Sequence, residues 1–304
     1  MPIRSLDFLD LPIIAKYRND VLTLDSGRAV TRGHPLGAMG LLAYINPARH
    51  LYAAIANGDD TKLLGGIIHT RGETFAKLLY LAPSSKLDNS QLPELIEHLS
   101  KQAGEWKALH VIAEIDENNY VFPALRTAGF SVYAWQRLWD VTQIQKTEST
   151  ISKEWRRVQS IDIPAVQNLH YQIVPQLLHP IEPAPNRVNG FVHEDLKCFA
   201  NITSGMYGVM LTPLIHPAEE NATEKIISLI KNVSNGNRKI YLNVRSYQTW
   251  LEPVLEDLGA KASQRQAVMV KHLVRLVKDG KLVKSIPSHA GVQPSQMSRM
   301  EIDE

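Results

Sequence analysis

Arg4-Ser5-Leu6-Asp7-Phe8-Leu9-Asp10-Leu11-Pro12 opens the chain, and its pattern returns in the middle as Arg156-Arg157-Val158-Gln159-Ser160-Ile161-Asp162-Ile163-Pro164. In both places an arginine stands six residues before an aspartate, which is followed by an aliphatic residue and a proline. Each copy reads as a short strand, a turn and a helix start. The Asp carboxylate can cap free N–H groups, and a proline near the first helical position gives up no helix hydrogen bond.

The ends of the two halves match as well. Pro123 and Pro253, Leu125 and Leu255, Gly129 and Gly259, and Gln136 and Gln266 lie at one constant offset. In the first half a strand (Ala108 to Ile115) leads through a helix and a glycine stop to a strand at Ser131 to Val141. In the second, the strand Lys239 to Val244 leads the same way to Gln266 to Leu276. Glycine suits the helix stop because the left-handed conformation there carries no side-chain penalty. Between these ends lies a hairpin region: Leu51 to Ala56, Leu63 to Thr70 and Phe75 to Leu81, against Val188 to Val192, Lys197 to Thr203 and Met206 to Thr212. A helix follows in each half, with Leu92, Leu95, Ile96 and Leu99 in the first and Ile226, Ile227, Leu229 and Ile230 in the second at helical spacing. The front and back offsets differ, so the second copy is shorter, as duplication with one deletion would make it. The missing part corresponds to Gly27 to Pro47, which carries a helical stretch at Leu36 to Ile45. The reading is an α/β chain of two mixed-sheet domains, 1–145 and 154–280. Gln143 to Lys153 is the polar linker, and 285–304 is a Ser/Pro-rich disordered tail.

Bulk properties agree. A length of 304 residues suits two domains at about 100–200 residues each. With 44% hydrophobic and 21% charged residues, a packed core is expected rather than disorder. A net charge of +2 gives no basic stripe for nucleic acid, and the Lys/Arg-containing run Lys271 to Lys284 is interleaved with Leu and Val like a strand. The lone Cys198 excludes an internal disulfide and a cysteine zinc site; in its apolar stretch it reads as a buried small hydrophobe. No run approaches the roughly 18 apolar residues of a membrane span. The N-terminus has no signal-peptide pattern, so Asn201, Asn221 and Asn232 read as chance sequons and the cytoplasm is the expected compartment. No Ser/His/Asp order, His-Glu-x-x-His, Walker loop or dinucleotide glycine fingerprint occurs.

This repeated order of elements resembles the GNAT fold of the N-acetyltransferase superfamily, over residues 1 to about 145 and 154 to about 276. The opening Arg-x5-Asp-Leu/Ile-Pro looks like the family's first strand and helix. Asn118, eleven residues before Gly129-Phe130, looks like the Asn that starts its fourth helix. The resemblance implies two tandem GNAT-like domains and coenzyme A-dependent acyl transfer to a small-molecule or peptide amine, with acetyl-CoA as cofactor. It implies a sheet that splays between its fourth and fifth strands, where backbone at Leu79 and Leu81 would hold the pantetheine arm. Ser84, Ser85 and Lys86 would face the phosphates and Asn118 would complete the site. The family's phosphate loop, Gln/Arg-x-x-Gly-x-Gly/Ala, lets glycine backbone at a helix N-terminus approach an anion. Here the corresponding loops, Ala82 to Gln91 and Pro213 to Asn221, have no glycine and carry Asp88 and Glu219-Glu220. The family's acidic tyrosine, four residues before the glycine, is replaced by Leu125 and Leu255.

Among other candidates, Glu114 lies in a strand expected to be central, where it reads either as a buried base or as an outward carboxylate paired with Arg or Lys at the strand end. Burial there would raise its pKa as a general base needs, and Asp116, two residues on, would add to this only if the side chains converge. Tyr80 lies on the strand lining the cleft and reads either as catalytic or as a packed tyrosine with a satisfied hydroxyl. His69 and Glu73 read as exposed hairpin residues. Trp135, Gln136, Arg137 and Trp139, with Arg265-Gln266 at the matching place, read as a strand at the domain interface or in a substrate cleft. Two functions stay open: an N-acyltransferase, and a catalytically silent scaffold that binds or assembles.

Overall fold

The opening motif forms the same fork twice. Arg4 donates to both oxygens of Asp10 at 2.7 Å, and Arg156 to both of Asp162 at 2.6 and 2.7 Å. The expected helix cap is replaced by this fork: each carboxylate bonds backwards, accepting the N–H of Asp7 or Gln159, and makes no side-chain bond to the helix ahead. The bidentate arginine holds both carboxyl groups down at about 2. These geometries come from a computed structural model that describes residues 3–37, 49–57, 62–88, 90–144, 154–234 and 238–273. They fall within one compact unit, Met1–Val274. Most of the helical stretch expected at Leu36 to Ile45, most of the linker and the whole tail lie outside the described residues.

The first half runs β1 (Ile3–Ser5), α1 (Leu11–Tyr17), β2 (Leu22–Thr23), α2 (Ser26–Arg32), β3 (Arg49–Asn57), β4 (Lys62–Thr70), β5 (Phe75–Ala82), α3 (Leu92–Glu105), β6 (His110–Asp116), α4 (Phe122–Thr127) and β7 (Ser131–Asp140). The second runs β8 (Trp155–Arg157), α5 (Ile163–Ile173), β9 (Phe191–His193), β10 (Cys198–Ser204), β11 (Gly208–Ile215), α6 (Ala222–Val233), β12 (Lys239–Arg245), α7 (Leu251–Asp257), β13 (Lys261–Ala262) and β14 (Gln266–His272). The order is the expected one with shifted bounds and with β2, α2 and β13 added. Pro213 to Ile215, read as loop, continue β11; β9 begins later than expected, at Phe191.

One continuous sheet joins the halves in the order β1-β3-β4-β5-β6-β14-β7-β12-β11-β10-β9-β8. The order is a palindrome of counterparts with one exchange. The last strand of the second half, β14, lies against β6 of the first, and the last strand of the first, β7, lies against β12 of the second. These two strands pair antiparallel with Gln266 opposite Gln136, so the matched glutamines meet at the centre. Each half has only one long strand after its final helix, and the partner half supplies the neighbour that strand needs. The aromatic-basic segment of β7 therefore lies at the junction of the halves, with Arg265 stacked 4.3 Å over the Trp135 ring. Helices cover the sheet through the expected stripes: Leu92, Leu95, Ile96 and Leu99 of α3 and Ile226, Leu229 and Ile230 of α6 are fully buried. Leu125 and Leu255 are buried in the same cores, and burial pushes the Cys198 thiol up to about 12. His69 departs from expectation: it is buried, bonds the Glu73 carbonyl at 2.9 Å and stacks with His50 and Trp106.

Candidate functional site

Both halves open a splay between parallel central strands. β5 and β6 pair only through Phe75–Lys77 and His110–Ile112 and then diverge; β11 and β12 pair only through Gly208–Leu211 and Lys239–Leu242. Strands that diverge leave unpaired backbone groups, which must find other partners.

In the first half the chain itself fills the gap. Leu22 and Thr23 pair with Leu81 and Tyr80. Leu24 N–H donates to the Leu79 carbonyl at 2.9 Å, and the Leu24 carbonyl accepts the Glu114 N–H at 2.8 Å. Residues 22–24 thus form a short strand wedged between β5 and β6. Just before them, Asp20 reaches the turn after β5. It accepts the Ser85 N–H at 2.9 Å and the hydroxyls of Ser84 and Ser85, and its carbonyl accepts the Ser84 N–H at 3.0 Å. The Ser84 and Ser85 hydroxyls lower its pKa. After the wedge, Glu114 accepts the Ser26 N–H at 2.9 Å at the start of α2. Sequence residues proposed for a cofactor, Leu79, Leu81, Ser84 and Ser85, are thereby engaged by residues 20–24. Lys86 is exposed in the short 3-10 turn Ser84–Lys86. Asn118 is exposed in a turn before α4, and Asn119 instead accepts the Val121 N–H at 2.9 Å. Tyr80 is buried in the core against Gly66, where an added Cβ would come within 2.3 Å of its ring.

The second half closes its splay with side chains. Gln248, 1% exposed, donates to the Pro213 carbonyl at 2.8 Å and accepts the Ile215 N–H at 3.0 Å. At the start of α6, Glu219 accepts the Asn221 N–H at 3.2 Å and pairs with Lys225 at 2.7 Å. Asp195 also engages Lys225. Burial alone would raise the Asp195 pKa, but its bond to Lys225 brings it to about 2. Each loop expected to cradle phosphate therefore holds a carboxylate of the chain.

Between the halves lies a cleft of about 390 Å³. Its first-half wall is Phe75, Lys77, Ile112, Glu114 and Tyr133; its second-half wall includes Phe199, Thr212, Leu214, Arg245 and Tyr247; residues 181–187 form its rim. Glu182 is held three ways, by Arg245 at 3.0 Å, Tyr247 at 2.8 Å and Tyr133 at 3.2 Å. Burial pushes both tyrosine pKa values up, so the hydroxyls stay protonated donors. Burial alone would depress the Lys77 ammonium; Asp25 and Glu114 outweigh it, and Lys77 stays charged. A polar chain spans the junction. Ser26 donates to Gln266 at 2.8 Å, Gln136 donates to Gln266 at 3.1 Å, and Arg245 donates to Gln136 at 2.7 Å. Asp116 is tied into it by Gln266 at 2.9 Å. Spacing alone did not reveal Lys77, Glu182, Arg245 or Gln248; all lie far in sequence from the partners that give them meaning.

The geometry can now be set beside known proteins. No protein-family pattern matches the chain, and no curated protein matches its sequence. Solved structures do match its shape. A GCN5-related N-acetyltransferase from Sphaerobacter thermophilus aligns with a TM-score of 0.51 at 12% identity, covering 89% of this chain and 95% of that one. A tandem GNAT protein from the clavulanic acid biosynthesis pathway aligns at 0.50 and 12% identity, covering 89% and 98%. A Drosophila protein aligns at 0.51 and 10% identity, again covering 89% and 98%. The chain has a tandem GNAT-like fold. At these identities the likeness speaks for architecture alone. Among the described residues no helix is long and apolar enough to cross a membrane, and no group of His, Cys, Asp and Glu is placed to hold a metal ion.

Proposed function

We propose that this protein is a tandem GNAT-fold binding module, formed by domains 1–145 and 154–280, whose cofactor grooves are closed by its own residues. The carrying observation is the wedge of residues 22–24 between β5 and β6, with Asp20 on Ser84 and Ser85. A pantetheine arm would need the same backbone groups of Leu79 and Leu81, and a pyrophosphate the same N–H and hydroxyl groups. Gln248 and Glu219 support the same reading for the second half. The near-neutral charge of +2 supports a partner other than nucleic acid. A thermal-shift titration of the whole protein tests this. A ligand at 100 times its Kd stabilises by about 2.7 kcal/mol, so acetyl-CoA binding would be plain. No shift is expected; a saturable one overturns the reading.

The retained splays favour a second reading, N-acyl transfer from acetyl-CoA to a small-molecule or peptide amine. It requires residues 20–26 to leave the first groove. That departure would free the Glu114 carboxylate from Ser26 to take the acceptor's proton. Glu114→Gln would then lower turnover by roughly 10²–10⁴-fold. An acyltransferase assay over a panel of amines that finds no wild-type turnover excludes this reading.

A further inference from the structure

The cleft between the halves has its own recognition chemistry. Six charged side chains line it: Glu73, Glu114, Glu182, Lys77, Arg187 and Arg245. Glu182 and Arg245 satisfy each other at 3.0 Å with two tyrosines. The other four make only long ion pairs, and one Glu114 oxygen already accepts the Ser26 N–H. Lys77 lies 4.0 Å from Glu114 and 3.5 Å from Asp25, and Arg187 lies 3.5 Å from Glu73. Well-formed charge-assisted bonds are 2.7–2.9 Å long, as at Arg4–Asp10, so these pairs keep unused donors and acceptors of both signs. His170, buried and lining the same cleft, leaves Nδ1 without a partner among the described residues. Burial, then His179, lowers its pKa, and the ring lies against the cleft with that nitrogen covered. Between these groups lie Phe75, Ile112, Phe199 and Leu214, an apolar floor. Small-ligand sites are concave spaces of about 300–1,000 Å³ in which polar groups converge, and this cleft has that size.

We infer that the cleft binds a small zwitterion of amino-acid type with an apolar side chain. Its carboxylate meets Lys77 and Arg187, its ammonium meets Glu114 and Glu73, and its side chain lies on Phe75 and Phe199. A ligand of one sign would leave the opposite-sign groups no better paired than before, whereas a zwitterion completes both sets. The inference rests on the reading that the cofactor grooves are closed.

Calorimetry on the full chain with L-phenylalanine, phenylpropionate and phenethylamine as probes tests it, with acetyl-CoA as a separate titrant. L-phenylalanine is expected to bind about tenfold or more tighter than either single-charge analogue. Lys77→Met should abolish its advantage over phenethylamine, and Arg187→Ala, at an exposed site that leaves the fold intact, should weaken it several-fold. Equal binding of an analogue, or no binding of L-phenylalanine, overturns the ligand class. Acetyl-CoA binding with L-phenylalanine silent overturns the closed-groove reading as well; silence of both overturns the ligand class alone.

Discussion

The splay of the first half and the splay of the second start from one register. Four residues beyond the first paired position of the inner strand stands Glu114 in β6 and Asn243 in β12. What closes them differs. The first is filled by backbone, residues 22–24, with Asp20 in the turn and Ser26 on Glu114. The second is filled by the Gln248 carboxamide, with Glu219 at the helix start. Chain supply explains the contrast. The first half has a long connection between α1 and β3 and can lay part of it in the groove, sending α2 on to the second half, where Tyr207 N–H meets the Thr31 carbonyl at 3.0 Å. The second half sends its connection over the first instead: Glu182 reaches Tyr133, and Arg187 reaches Glu73 and the Arg71 carbonyl. Its own groove is left to a side chain. Identical unmet backbone groups thus accept quite different partners, because an N–H or carbonyl recognises geometry and not origin.

The largest test breaks the comparison altogether. Expressing 1–150 alone removes β14 from beside β6, and the fragment should show no cooperative thermal transition by circular dichroism. An intact transition would mean that each splay is completed within its own half. Gln248→Ala sharpens the second splay. It leaves the buried Pro213 carbonyl and Ile215 N–H unpaired and should destabilise by about 2–4 kcal/mol in urea unfolding, at about 1–3 kcal/mol per orphaned group. Asp20→Ala sharpens the first. Ser84 and Ser85 are partly open to water and can rehydrate, so the expected loss is smaller, about 1–2 kcal/mol, read as a lower urea midpoint.

The smallest effect compares the two forks. Asp10 and Asp162 have folded pKa values lowered to about 2 by their arginines, against about 3.9 unfolded. The unfolded chain then binds more protons in acid. The forks' stabilisation is present above pH 4 and is lost as the pH falls through 2. Asp10→Asn and Asp162→Asn should each flatten that acid slope by a similar amount. A change in one alone would show the repeated motif to be energetically unequal. Since both arginines are about two-fifths exposed, the effect is expected at about 1 kcal/mol or less.

The sequence by itself determined the repeat, the element order and the helix stripes. These rest on residues a few positions apart, where spacing translates directly into a shared face or a turn. It also exposed the missing glycines, because a phosphate loop is a local pattern. Only the tertiary structure decided the rest. The exchange of β7 and β14 depends on strands far apart in the chain, and hydrophobic alternation does not name a strand's neighbour. Glu114 was legible as a carboxylate on a central strand, but its burial and its bond to Ser26, 88 positions away, were not. Lys77 and Arg245 look like ordinary strand-end charges until folding brings Asp25, Glu114 and Glu182 to them. Pairing across such distances is set by how the two halves pack, and no local spacing carries that information.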